Sequence, residues 1–104
     1  MEINRQIIAY NFSVRSGGAN SVKYIVIHDT SDPGATAQNE HDYFAGGDRH
    51  ASADYFVDSG GVMQIIDSPK YYSWHCGDGA GKYGITNANS VGIELCIDKA
   101  GKIC

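Results

Sequence analysis

The run Tyr24-Ile-Val-Ile-His-Asp-Thr30 constrains this chain more than any other stretch. Ile25, Val26 and Ile27 are consecutive, apolar and β-branched, the pattern of a strand buried on both faces. The run is therefore expected to be a central strand with His28 at its C-terminal end. A histidine on so rigid a mount is well placed to act as a ligand or a base. A partly buried His28 that only hydrogen-bonds a neighbour fits the same stretch, so the run alone leaves both roles open.

Around that strand the pattern reads in order. Ile7-Ile-Ala-Tyr10 is an edge strand or a packed arm, and Ser16 to Ser21 is a loop by composition. Ser31-Asp-Pro-Gly34 is a turn, followed by a helix over about 35–45 with Thr36 as N-cap and Asn39 and Glu40 in its first turn. Ala37, His41 and Phe44 share one face of that helix, and Gly46-Gly47 ends it. Ala53–Asp58 and Val62–Ile66 read as a hairpin joined at Ser59-Gly-Gly61. Tyr71–His75 is short and aromatic, Cys76–Gly84 is a Gly-rich loop, and Val91–Ile97 is the last strong strand. Strand, helix, hairpin, strand suits an α/β domain with a central mixed β-sheet. With one clear helix, one face of an apolar sheet is left without obvious cover.

The totals exclude several function classes. At 104 residues the chain is expected to be a single domain. A net charge of −4 with no basic stripe argues against a nucleic-acid partner. The apolar runs are too short for membrane insertion. Met1-Glu-Ile-Asn-Arg-Gln6 shows no secretory signal pattern. The three cysteines include no C-x-x-C pair, so neither a disulfide framework nor a zinc knuckle is indicated. Cys76 and Cys96 read as small buried residues and Cys104 as a loose terminal one.

Two residues stand out chemically. Glu94 lies inside Val91-Gly-Ile-Glu-Leu-Cys-Ile97. A carboxylate buried there costs several kcal/mol unless it is paired or its pKa rises, and a raised pKa suits a general acid or base. Simple alternation, with Glu94 on a solvated face, is the competing reading. His75 follows Trp74 and opens the Gly-rich loop, a place where a cleft rim contacts ligand, although an aromatic-packed histidine fits equally. His41 reads as helix packing or surface, and His50 as a solvated loop residue.

Five segments in order, Ile25-Val-Ile-His-Asp-Thr30, Ala51-Ser-Ala-Asp-Tyr-Phe-Val-Asp58, Gly61-Val-Met-Gln-Ile65, Ser73-Trp-His-Cys-Gly77 and Asn89-Ser-Val-Gly-Ile-Glu-Leu95, resemble the zinc-dependent N-acetylmuramoyl-L-alanine amidases of the amidase-2 type. These are related to peptidoglycan recognition proteins and phage endolysins. The resemblance implies a mixed sheet flanked by helices. It also implies hydrolysis of the amide between N-acetylmuramic acid and L-alanine in bacterial peptidoglycan. It makes His28 a Zn2+ ligand and Glu94 the catalytic acid–base, with Trp74, His75 and Asp54 along the substrate cleft. A phage-lysin-like life follows, with synthesis in the cytoplasm and action on the wall after release.

The chain also departs from that pattern. Relatives often have His-Tyr where Asp54-Tyr55 stands, and Ala53 occupies the place of a catalytic Tyr. The remaining zinc ligands and a C-terminal helix would follow the last strand, so residues 1–104 correspond to the N-terminal two-thirds of such a catalytic domain. The alternatives are a non-catalytic peptidoglycan-binding module or an inactive fragment. In a fragment, the uncovered sheet face would favour a homo-dimer.

Overall fold

The computed structural model describes residues 2–77 and 83–104. Its strands are β1 (Ile3–Arg5), β2 (Phe12–Val14), β3 (Tyr24–Asp29), β4 (Tyr55–Asp58), β5 (Gly61–Gln64), β6 (Tyr71–Ser73) and β7 (Ser90–Leu95), and its α-helix is α1 (Ala37–Ala45). Five strands form a mixed sheet in the order β1-β5-β4-β7-β3, and β2 pairs with β6 in a separate antiparallel ribbon. β3 and β4 both run parallel to β7, whereas β4 and β5 form the expected antiparallel hairpin with Asp58 opposite Gly61. The arm containing Ile7 and Ile8 is no strand, but Ile8 is buried and its N–H donates to the Ile65 carbonyl at 3.0 Å.

The helix forms where local chemistry favours it. The Asn39 N–H donates to Thr36 Oγ1 at 3.1 Å and the Thr36 N–H donates to Asn39 Oδ1 at 2.9 Å, a reciprocal cap. Asp58 reaches across from β4 to accept from the Ala37 N–H at 2.9 Å, setting a negative charge against the positive end of the helix. At the far end the Asn11 amide donates to the Phe44 and Gly47 carbonyls, both at 2.9 Å. The inward stripe is Ala37, Glu40 and Phe44, with Phe44 stacked on Phe56 at 5.9 Å. His41 is only half-buried and bonds its neighbour Asp42, so the expected face turns by one residue.

The larger correction concerns β3. It is an edge strand, and β7 lies beside it in the interior of the sheet. Ile25 is 68% exposed and Ile27 56% exposed. By register they share a face with Val91, Ile93 and Leu95 of β7 and with Tyr55 and Val57 of β4. His28, Glu94, Phe56 and Met63 point to the other face, where α1 packs. The β-branched run was expected to be buried on both faces, and the structure overturns that, because an edge position leaves Ile25 and Ile27 exposed. Among the described residues α1 lies on one side of the sheet, and on the other Val91, Ile93 and Leu95 are half-buried while Ile25 and Ile27 are exposed.

Burial on one face alone gives a direct expectation for stability. Phe56→Ala, in the covered core, should cost about 3–5 kcal/mol in urea unfolding. Ile27→Thr, on the open face, should change stability by less than about 0.5 kcal/mol. Equal losses from the two would show that the open face is covered in solution.

Candidate active site

The parallel register sets His28 directly opposite Glu94, at the C-terminal ends of β3 and β7. Both project toward the α1 face. The sheet therefore brings together the two residues that the sequence singled out from different strands. His75 joins them, its Nδ1 lying 3.1 Å from His28 Nε2. The two rings meet edge-on, with centroids 5.4 Å apart.

His75 is held from three directions. Its Nε2 lies 2.8 Å from Ser90 Oγ, and Ser90 Oγ in turn donates to the Thr86 carbonyl at 2.5 Å. The backbone N–H groups of His75 and Cys76 both donate to Asn87 Oδ1, at 3.1 and 3.0 Å. The ring lies over Gly92, where a Cβ would fall 2.6 Å from His75 Cβ and 2.7 Å from its Nδ1. Gly92 is thus required for close approach, not for backbone freedom. A 3-10 turn at Asn87–Asn89 carries Asn87, and Thr86 caps it reciprocally with Asn89.

Charge at the site is arranged unusually. Burial pushes the Glu94 carboxyl up to about 7, with help from the Asp29 charge. Glu40 on α1 also rises to about 7, through burial first and then through Asp32 and Glu94. Glu94 Oε2 and Glu40 Oε1 are buried and have no hydrogen-bond partner among the described residues. Burial lowers the His28 pKa, and the Asp29 charge opposes that. Near pH 7 the Glu94 and Glu40 carboxyls are thus close to half-protonated.

Two other expected residues fare differently. Trp74 is half-buried, and its indole N–H donates to Ser13 Oγ at 2.9 Å, so only its ring is left to meet a ligand. Asp54, expected along the cleft, is 0% exposed. Its oxygens accept from Ser68 Oγ, Ser73 Oγ and the Gly92 N–H at 2.7, 2.7 and 2.8 Å. It has no surface to offer a substrate, and its role is to tie the fold together. Most of the Gly-rich loop expected as a cleft wall, residues 78–82, lies outside the described residues. Two surface recesses of about 210 and 250 Å³ adjoin Asp58, but neither is lined by His28, His75 or Glu94.

Sequence reasoning missed Glu40, Ser90 and Asn87. Glu40 was detectable, because an acid three residues after Ala37 and four before Phe44 sits on the apolar stripe. Ser90 and Asn87 carry no local signal, since their partners come from other segments.

The family profile described as N-acetylmuramoyl-L-alanine amidase matches residues 18–102. A probable N-acetylmuramoyl-L-alanine amidase of Bacillus licheniformis is 38% identical over 92 residues, covering 80% of this chain and 26% of the relative. Among solved structures, PlyL superposes with a TM-score of 0.73 at 30% identity, over 97% of this chain and 61% of that one. A mutant endolysin from Bacillus subtilis superposes with a TM-score of 0.73 at 28% identity, over 99% of this chain and 66% of that one. The chain thus spans about a quarter of the length of the curated relatives it matches.

The buried acids also make the fold sensitive to pH. Glu40 and Glu94 keep a proton to about pH 7 when folded, against an ordinary carboxyl value of 4.5. Between those values the folded state holds more protons than the unfolded one. Stability should therefore be greatest below about pH 4.5 as far as these groups decide it, and should fall as pH rises to about 7. With partial solvent screening each group contributes about 1–2 kcal/mol to that fall. Glu40→Gln should remove roughly half of it in urea unfolding followed from about pH 5 to about pH 8. An unchanged slope would show that Glu40 is ionised in the folded protein.

Proposed function

Because the chain belongs to the N-acetylmuramoyl-L-alanine amidase family, we propose that it supplies the acid–base half of a peptidoglycan amidase site, with Glu94 as the proton-transfer group. The observation that carries this reading is Glu94 itself. It is a buried carboxyl that titrates near pH 7 and faces His28 across two parallel strands. Such a group can accept a proton from attacking water and return it to the leaving amine of L-alanine. Its Oε2 is buried and has no hydrogen-bond partner among the described residues, so its proton affinity is not lowered by a protein donor. Trp74 and His75 then stand beside the scissile amide, and the bacterial cell wall is the place of action, as in the endolysins it is similar to.

The family resemblance also implies a zinc ion that polarises the carbonyl, with His28 as one ligand. Among the described residues no group of three His, Cys, Asp or Glu side chains is placed to hold a metal. His28 Nε2 is moreover engaged with His75. The described residues therefore do not complete a zinc centre, and the proposal is limited to His28 as a single donor. The second reading is that the chain binds peptidoglycan without cleaving it, with His28 held as a hydrogen-bonding residue by His75. The open Ile25 and Ile27 face is proposed to associate with a second copy of the chain.

Incubated with insoluble peptidoglycan, the chain should release new L-alanine amino groups and no new reducing sugar ends. Glu94→Gln should lower that release by about 100-fold or more. Sedimentation with the wall but no amine release would replace the first reading by the second. For the open face, Ile25→Ser with Ile27→Ser should turn a dimer into a monomer in sedimentation equilibrium. A monomeric parent chain would refute the association.

A further inference from the structure

The segment after β7 turns back on itself and sets two cysteines against each other. Asp98 shapes the turn. Its Oδ1 accepts from the Ala100 and Lys102 N–H groups, both at 2.9 Å, and its carbonyl accepts from the Gly101 N–H at 2.9 Å. Gly101 takes the positive φ of +83° that the reversal needs. Ile97 and Ile103 then form an antiparallel bridge. It is flanked by the Asp98 N–H donating to the Lys102 carbonyl at 2.8 Å and the Cys104 N–H donating to the Cys96 carbonyl at 3.1 Å. In that register Cys104 stands directly opposite Cys96. Residues so paired carry their side chains on one face, with Cα atoms about 5.5 Å apart, inside the roughly 4.4–6.8 Å that a disulfide spans.

The two thiols differ in access. Cys96 is 0% exposed and belongs to the core cluster with Ala37 and Phe56, whereas Cys104 is exposed. Cys104 lines the recess of about 250 Å³ that also touches Thr36 and Asp58, so a small reagent can reach it. Burial pushes the Cys96 thiol up to about 12, and the charges of Asp58, Glu40, Cys104 and Glu94 add to that. Cys76 is engaged elsewhere, its Sγ lying 3.2 Å from Asn87 Oδ1 ahead of β7.

We infer that Cys96 and Cys104 form a thiol–disulfide site, closed by a small-molecule disulfide such as oxidised glutathione into a bridge that fastens residues 97–104 to the end of β7. The Cys104 thiolate attacks one sulfur of the oxidant, whose S–S bond breaks and releases a first glutathione thiolate. Cys96 then loses its proton and attacks Cys104 Sγ in the mixed disulfide, which releases the second. Two cysteine thiols are oxidised and one glutathione disulfide is reduced. The two protons that the cysteines lose are taken up by the two leaving thiolates. Because the buried Cys96 ionises reluctantly, the second step is the slow one. The inference stands apart from the amidase reading, which neither requires nor supplies such a bridge.

The test treats the folded chain with oxidised glutathione at about pH 8 and then blocks remaining thiols with iodoacetamide in denaturant. Of the three cysteines, only Cys76 should be alkylated. Trypsin cuts after Lys99 and Lys102, between the paired cysteines, so their peptides should stay joined until reduced. The oxidised-to-reduced ratio in a fixed glutathione buffer should be on the order of ten-fold or more higher for the folded chain than in urea. The folded arrangement, and not mere nearness in sequence, is what that difference reads. Cys104→Ser should leave Cys96 fully alkylated, and Cys76→Ser should leave the bridge unchanged. A stable glutathione adduct on Cys104, a bridge that uses Cys76, or equal ratios with and without urea would each overturn the inference.

Discussion

A single buried carboxylate, that of Asp54, holds together the segments from which everything else is suspended. Its side chain accepts from Ser68 beyond β5, from Ser73 at the end of β6 and from the Gly92 N–H in β7. Its own backbone N–H donates to the Gly92 carbonyl, and its carbonyl accepts from the Ile65 N–H, both at 3.0 Å. Arg15 adds a buried positive charge that interacts with Asp54, and its guanidinium donates to the Ser68, Ala88 and Ser90 carbonyls at 2.7, 2.7 and 3.2 Å. An unpaired carboxylate in this position would cost several kcal/mol, so the bonds are a condition of the fold, not an addition to it. Gly92, Ser90 and the residues after Ser73 are placed by this network. The His75 ring can lie against His28 only because they are.

The site inherits a different electrostatic character from the core beneath it. Asp54 is satisfied by donors on every side, whereas Glu94 and Glu40 are buried with an oxygen left over. Both carboxyls are consequently pushed up to about 7, and the surrounding Asp29 and Asp32 add to the effect. A group that titrates near the working pH can both take and give a proton, which is the property that amide hydrolysis demands.

The open face of the sheet follows from the same economy of parts. Helix α1 packs on Phe56 on one side of the sheet, while Ile25 and Ile27 remain exposed on the other. The family relatives with solved structures are longer, since this chain covers 61% of one and 66% of another. An apolar face of this kind is unusual on an isolated small domain.

Local pattern was enough to reveal a good part of this. Thr36 and Asn39 cap a helix because their side chains reach backbone groups a few residues away, and the Ser59-Gly-Gly61 hairpin depends on equally short reach. His28 and Glu94 were conspicuous because a polar residue inside an apolar β-branched run has to be accounted for. The shortage of helix cover was also readable, because it is a matter of counting faces. Tertiary structure alone decided that β3 lies at an edge, since strand order depends on which distant strand pairs with which, and an apolar run looks the same in either place. It alone turned Asp54 from a cleft residue into the buried tie of the core, and brought Ser90, His75 and His28 into one hydrogen-bonded chain. Those roles depend on directional hydrogen bonds between segments dozens of residues apart, which no local pattern encodes.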